Sequence, residues 1–262
     1  MKLKNFLLKF LFHFVTFVKT GVNQFMKKIL FSLLYLFICF QIGYGQTTAY
    51  LLKYIPYNQP SQIISQKNSD LSLAPASTLK LFISWMSFNQ GYATHEYLKA
   101  ILMKSDNNKA DSLFMLTGGG PVLKNYLIKN QQLNITEKNF IIYDGSGLDK
   151  NNRTTCDLQV CLLEKIYMDK YYNIFKTLMA QPGKPGTLEK RLLNHQGKVF
   201  AKTGTLNGTI ALTGFYELKN GVALFSINSN NFKTTWEQER KRIDGILESL
   251  INQIPKEETS KN

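Results

Sequence analysis

Apolar and polar positions change period twice along this chain. Thr47–Tyr54 and Gln62–Gln66 alternate with a period near two and are predicted as strands, joined by a turn between Pro56 and Pro60. From Leu81 to Phe88 apolar residues fall on nearly every side, which predicts a central, buried helix. Pro75 suits its entrance and Gly91 its end. Glu96–Met103 places Leu98, Ile101 and Leu102 on one helical face, and Lys104-Ser-Asp-Asn-Asn108 reads as a polar turn between helices. Ala110–Leu116 and Val122–Gln131 are predicted helices broken by Gly118-Gly-Gly-Pro121. Phe140–Tyr143 is an extended entry to a tight loop, Asp144-Gly-Ser-Gly-Leu148. Thr155–Asp169 and Tyr172–Ala180 read as helices, and Gln181–Thr187 as a loop. The period then returns to two. Lys198–Thr205, Gly208–Glu217 and Val222–Asn228 are predicted strands, with Lys219-Asn-Gly221 as a hairpin turn. Ile243, Ile246, Leu247, Leu250 and Ile254 form a stripe on a last helix over Thr235–Ile254. A polar tail, 256–262, ends the chain. Strands at both ends and helices between them predict one α+β domain over 46–262. Its antiparallel sheet is built from both termini and packed against a helical region.

The first 45 residues differ from this pattern. They hold six lysines and no acidic residue. Met26-Lys-Lys followed by the apolar run Ile29–Phe40 has the charged and apolar regions of a secretory signal, and Gly43-Tyr-Gly45 supplies small residues before Gln46. Residues 1–45 are therefore expected to be a leader, with Met26 as the true start and the mature chain beginning near Gln46 in the periplasm. A retained N-terminal anchor is the competing reading. Ile38 before Cys39 is too bulky for a lipidation site. Without the leader the net charge falls from +14 to +8, spread along the chain. No basic stripe with interleaved aromatics is present, so nucleic acid is not an expected partner. Attraction to an anionic wall polymer or membrane surface is the milder reading. Cys156 and Cys161 point in different directions on a predicted helix and are expected to be two buried, unbridged thiols. His13 lies in the leader, His95 and His195 are isolated, and no cluster has metal-ligand spacing. No metal or cofactor is expected.

Candidate chemistry centres on Leu73-Ala-Pro-Ala-Ser-Thr-Leu-Lys-Leu. Ser77 and Lys80 are one helical turn apart on one face, as a nucleophile and its base need. A capping serine and a surface lysine would share that spacing. Two more elements come after it in order, Ser105-Asp-Asn107 and Lys202-Thr-Gly-Thr205. Each is weak alone, since Lys19-Thr-Gly21 recurs in the leader, whereas Ser77 opens the sole Ser-x-x-Lys. The ordered triple, in its setting of buried helix, inter-helix turn and strand, is the signature of penicillin-binding proteins and class A β-lactamases.

With Asp144-Gly-Ser-Gly-Leu148, Arg153-Thr154 and Gly186-Thr-Leu188 added, residues 47–254 resemble the class C low-molecular-mass penicillin-binding proteins, the D-alanyl-D-alanine carboxypeptidase/endopeptidases. The resemblance implies a β-lactamase/transpeptidase-like fold and a serine peptidase of peptidoglycan stem peptides, with β-lactams as covalent inhibitors. It implies Ser77, Lys80 and Ser105 as catalytic residues. Asn107, Lys202, Thr203, Gly204 and Thr205 are implied for substrate binding, with Thr203, Thr205 and Lys202 holding the terminal carboxylate. Asp106, Asp144 and Ser146 are expected to shape their loops. That family usually carries domains inserted between the first two motifs, and here Ser105 comes only 28 positions after Ser77. Two other functions compete. A class A β-lactamase needs a Glu-x-x-x-Asn between the second and third motifs, and none of Glu137, Glu164 and Glu189 has an asparagine four residues on. A binding or β-lactam-sensing module would keep the pocket and turn over little.

Overall fold

The computed structural model describes residues 45–255, together with 28, 29 and 32. The remaining leader residues, with His13 and Cys39, and the 256–262 tail lie outside the described residues. Residues 1–45 and 46–262 form separate units. No helix among the described residues is long and apolar enough to cross a membrane.

A five-stranded antiparallel sheet organises residues 46–255. Its strands are β1 (Thr47–Pro56), β2 (Gln62–Lys67), β5 (Val199–Leu206), β6 (Thr209–Leu218) and β7 (Gly221–Asn230), in the order β2-β1-β7-β6-β5. The N-terminal strand pairs with the last one, Thr47 opposite Asn230 through Pro56 opposite Gly221. The sheet is thus closed from both ends of the chain, as the pattern predicts. β7 is buried along its whole length. Ala223, Phe225 and Ile227 join the cluster under the C-terminal helix, whereas Val222 and Leu224 join the cluster under the helical region. A strand covered on both faces reads as an almost continuous apolar run.

Between β2 and β5 the chain forms a short 3-10 turn (Ala76–Leu79), α1 (Lys80–Asn89), α2 (His95–Leu102), α3 (Asn107–Leu116), α4 (Gly119–Lys129), the pair β3 (Phe140–Ile141) and β4 (Arg153–Thr154), α5 (Cys156–Met168) and α6 (Tyr172–Phe175). After β7 comes α7 (Trp236–Ile251). Eight consecutive residues of α1, Lys80–Ser87, are buried. This is the central helix that its all-round apolarity predicts. Ile243, Leu247 and Leu250 of α7 pack on the opposite face of the sheet, and a capping box at Thr235 and Gln238 opens that helix.

Two expectations are corrected. Gly118-Gly-Gly-Pro121 does not merely separate two helices. Gly118 takes a left-handed conformation, and Gly119, Gly120 and Pro121 form the first turn of α4, where a proline lacks nothing. Cys156 is buried but Cys161 is exposed, because their positions on α5 face the core and the solvent respectively. Both thiols are free. His195 sits 3.3 Å from the Tyr216 hydroxyl and 3.4 Å from Glu248, and His95 stacks on Phe88.

Candidate active site

Ser77 is placed by a segment held on three sides. Leu73 exchanges backbone hydrogen bonds with Thr154. The Ala74 N–H donates to Asn230 Oδ1, and the Ala74 carbonyl accepts from Asn228 and Asn230 side chains at 3.0 and 3.2 Å. Below the turn, Gln159 of α5 donates to Thr78 Oγ1 at 3.1 Å. Its carbonyl oxygen accepts from Thr213 Oγ1 and from Ser226 Oγ, so the serine turn is tied to β6 and β7 through a buried polar network. Ala76, immediately before Ser77, has φ 49°. A left-handed alanine costs roughly 1–2 kcal/mol, and the surrounding anchors over-determine it.

The Lys80 amine reaches three acceptors: Ser77 Oγ at 2.8 Å, Asn107 Oδ1 at 2.7 Å and the Ser146 carbonyl at 2.6 Å. Those are all the donors an ammonium has. The Ser77 hydroxyl donates to the same Ser146 carbonyl at 3.2 Å. Burial pushes the Lys80 pKa down from 10.5 to about 8, against the opposing charges of Asp111, Asp144 and Asp106. Lys202 is fully buried and donates to Ser105 Oγ at 2.9 Å and to the Thr203 carbonyl at 2.7 Å. Burial, and then the Lys80 charge, push its pKa well below the ordinary lysine value. Two amines lying in one dry region each find the charged form disfavoured.

The three sequence elements therefore meet. Ser77 and Lys80 come from the turn before α1 and its first residue, and Ser105 and Asn107 from the entrance of α3. Lys202, Thr203, Gly204 and Thr205 lie on the edge strand β5. Ser105 has φ 63°, a strained setting for a serine at the point where its hydroxyl meets Lys202. Asp106 caps α3 by accepting from Lys109 N. Gly204 lets β5 pass close, since a Cβ there would lie 2.9 Å from the Pro75 carbonyl. Ser77, Ser105, Asn107, Thr203 and Thr205 line an open pocket of about 370 Å³. Leu148, Thr187, Arg191 and Arg240 complete its walls.

Sequence reasoning missed several of these. Ser146 contributes through its backbone carbonyl, for which its residue type carries no signal. Asp111 belongs to no recognisable motif, although it lies one turn after Asn107 on α3. Its Oδ1 accepts from the Gly145 and Ser146 N–H groups at 3.0 and 2.7 Å, which aims the Ser146 carbonyl at Lys80. Asp144, by contrast, shapes this loop as expected, accepting from Gly147 N, Asp149 N and Asn152 Nδ2. Because Asn107 Oδ1 is engaged by Lys80, only its amide N–H groups are left to donate to a ligand. Among the described residues no group of acidic, histidine or cysteine side chains has metal-binding geometry.

Residues 89–250 match the D-Ala-D-Ala carboxypeptidase 3 (S13) family, a match that begins after the Ser77 turn. The D-alanyl-D-alanine carboxypeptidase DacB of Haemophilus influenzae is 28% identical over 165 residues, 56% of this chain and 33% of that protein. A penicillin-sensitive carboxypeptidase A of Dictyostelium discoideum is 34% identical over 113 residues, 38% of this chain and 21% of that protein. The chain thus matches a third or less of the length of these curated relatives. Among solved structures, the extended-spectrum β-lactamase TLA-1 superposes with a TM-score of 0.64 at 18% identity, over 83% of this chain and 96% of that one. That likeness is one of fold.

Proposed function

The chain belongs to the D-Ala-D-Ala carboxypeptidase 3 (S13) family, and from this premise we propose that it is a serine peptidase cleaving D-alanyl-D-alanine or related bonds of peptidoglycan stem peptides. The observation that carries the reading is the 2.8 Å contact between Lys80 Nζ and Ser77 Oγ, with the lysine held down to about 8. In the neutral form of Lys80 that contact reverses, and the serine O–H donates to the amine lone pair. Ser77 Oγ attacks the carbonyl carbon of the scissile bond, and its proton passes to Lys80. Backbone N–H groups of Ser77 and Thr205 stabilise the oxyanion, where one donor is typically worth roughly 3 kcal/mol. Asn107 donates to the peptide carbonyl beside the scissile bond. Ser105, bonded to Lys202, gives its proton to the leaving amine as the C–N bond breaks and receives the one that Lys80 took, which leaves an ester on Ser77 and Lys80 neutral again. Water then attacks the ester, its proton passing to Lys80 and from there to Ser77 Oγ as the C–O bond breaks, which restores the serine.

Deacylation decides between peptidase and β-lactamase. Glu137 is paired with Lys124 and Glu164 with Lys53, and neither lines the pocket. Leu148 stands on the wall instead, and no carboxylate lines the pocket among the described residues. A β-lactam adduct on Ser77 is therefore long-lived, and β-lactams act as covalent inhibitors. We also infer that residues 1–45 direct the chain across the inner membrane to the periplasm, as their lysine-rich start and apolar run support. Release of D-alanine from a pentapeptide ending in D-Ala-D-Ala tests the activity. The protein is expected to release it, and Ser77→Ala to release none while unfolding at the same temperature. Normal release by Ser77→Ala would overturn the nucleophile.

A further inference from the structure

The pocket carries two guanidinium groups that the acyl transfer leaves unused, Arg191 and Arg240. They are not equivalent. Arg191 meets both Asp244 oxygens, at 3.0 and 2.7 Å, in a bidentate pair that neutralises it. Arg240 forms no salt bridge among the described residues. Its Nη2 donates to Thr205 Oγ1 at 3.2 Å, at the mouth of β5. Thr187 lines the same pocket with a hydroxyl that has no hydrogen-bond partner among the described residues. Lys202, the cation expected to meet a substrate carboxylate, is fully buried, does not line the pocket, and gives two of its three donors to Ser105 and Thr203. The positive charge facing the open pocket beside Thr205 therefore belongs to Arg240.

We propose that Arg240 recognises the free carboxylate of the substrate's leaving residue, acting with the Thr205 hydroxyl it already holds. A guanidinium presents paired N–H donors that match a carboxylate, and a half-buried setting strengthens that match. In this arrangement Lys202 works in the proton path and Arg240 supplies the charge that selects an anionic chain end. The i, i+4 spacing of Arg240 and Asp244 puts both on one face of α7, where Arg191 occupies Asp244 and leaves Arg240 free for a ligand.

This inference rests on acylation at Ser77, so its test separates the two. Benzylpenicillin has a carboxylate beside its reactive amide, and its methyl ester has none. Acylation of Ser77 by each is followed by mass spectrometry in the full protein and in Arg240→Gln and Arg240→Lys. The unsubstituted protein is expected to react faster with the acid. Arg240→Gln is expected to slow the acid by about 10- to 100-fold, the loss of one charged hydrogen bond, and to leave the ester rate unchanged. Arg240→Lys is expected to recover part of the loss. An acid-to-ester ratio in Arg240→Gln equal to that of the unsubstituted protein would overturn the assignment. If neither compound acylates Ser77, the proposed function itself falls and takes this inference with it.

Discussion

At the residue scale, Lys80 decides how the site responds to pH. It must be neutral to take the Ser77 proton, so acylation should rise with pH to a plateau, with a midpoint near its pKa of about 8. Asp111 is the largest of the charges that raise that value. Asp111→Asn keeps the shape and removes the charge. The midpoint of its pH–rate profile is expected to move to lower pH, and an upward move would contradict the electrostatic account. Gly147 is the other residue on which the site turns. Its φ is 81°, and a Cβ would stand 2.1 Å from the Ala76 carbonyl. Gly147→Ala should displace the loop that carries the Ser146 carbonyl and abolish acylation of Ser77, measured by mass spectrometry. Ser77, Lys80, Ser105, Asn107 and Lys202 are legible in the sequence because each belongs to a short motif with fixed spacing. Ser146, Asp111 and Arg240 are not. A backbone carbonyl has no residue signature, and an arginine within Glu239-Arg-Lys-Arg242 looks like its solvated neighbours until the fold places it.

At the element scale, the serine turn is only as rigid as its ties to the sheet. Gln159 satisfies Thr78, Thr213 and Ser226 at once in a region where all four side chains are buried. Gln159→Ala leaves those hydroxyls without their shared partner. It is expected to lower the unfolding free energy by about 2–4 kcal/mol in denaturant melts. A loss below about 0.5 kcal/mol, the range of an ordinary surface change, would mean that the network does not anchor the turn. The strands and the central helix are readable because their apolar periods are long and uninterrupted. The start of α4 is not, because two glycines and a proline signal both a break and a first helical turn. Which applies depends on Phe114 and Ile142 packing beside Gly119 and Gly120.

At the scale of the whole molecule, the site is built at a cost in stability. An unfolded chain binds a proton at Lys80 up to about pH 10.5, whereas the folded one releases it near 8. Between those values the unfolded state holds more protons, so this lysine makes stability rise with pH by about 3 kcal/mol in total. Buried groups of the opposite kind act higher up. Burial raises Cys156 from 9.0 to about 12 and Tyr126 to about 12, so they remove stability above pH 9 to 10. Lys80→Met should therefore gain on the unsubstituted protein most at pH 7 and lose that advantage by pH 10.5, as read from urea unfolding at each pH. A pH-independent difference would mean that Lys80 is not held below its ordinary value. The sheet order, the two packed faces and the buried helix come from the hydrophobic pattern, because each element buries what that pattern sets aside. How the pocket is charged depends on side chains brought together from β5, α7 and the 181–191 segment, and no local pattern records that. The most direct test of acyl transfer at Ser77 is peptide mapping by mass spectrometry of the full protein after incubation with benzylpenicillin, followed over time. A single adduct is expected on the peptide containing Ser77, persisting long after free drug is removed. No adduct, or one on another residue, would contradict the assignment.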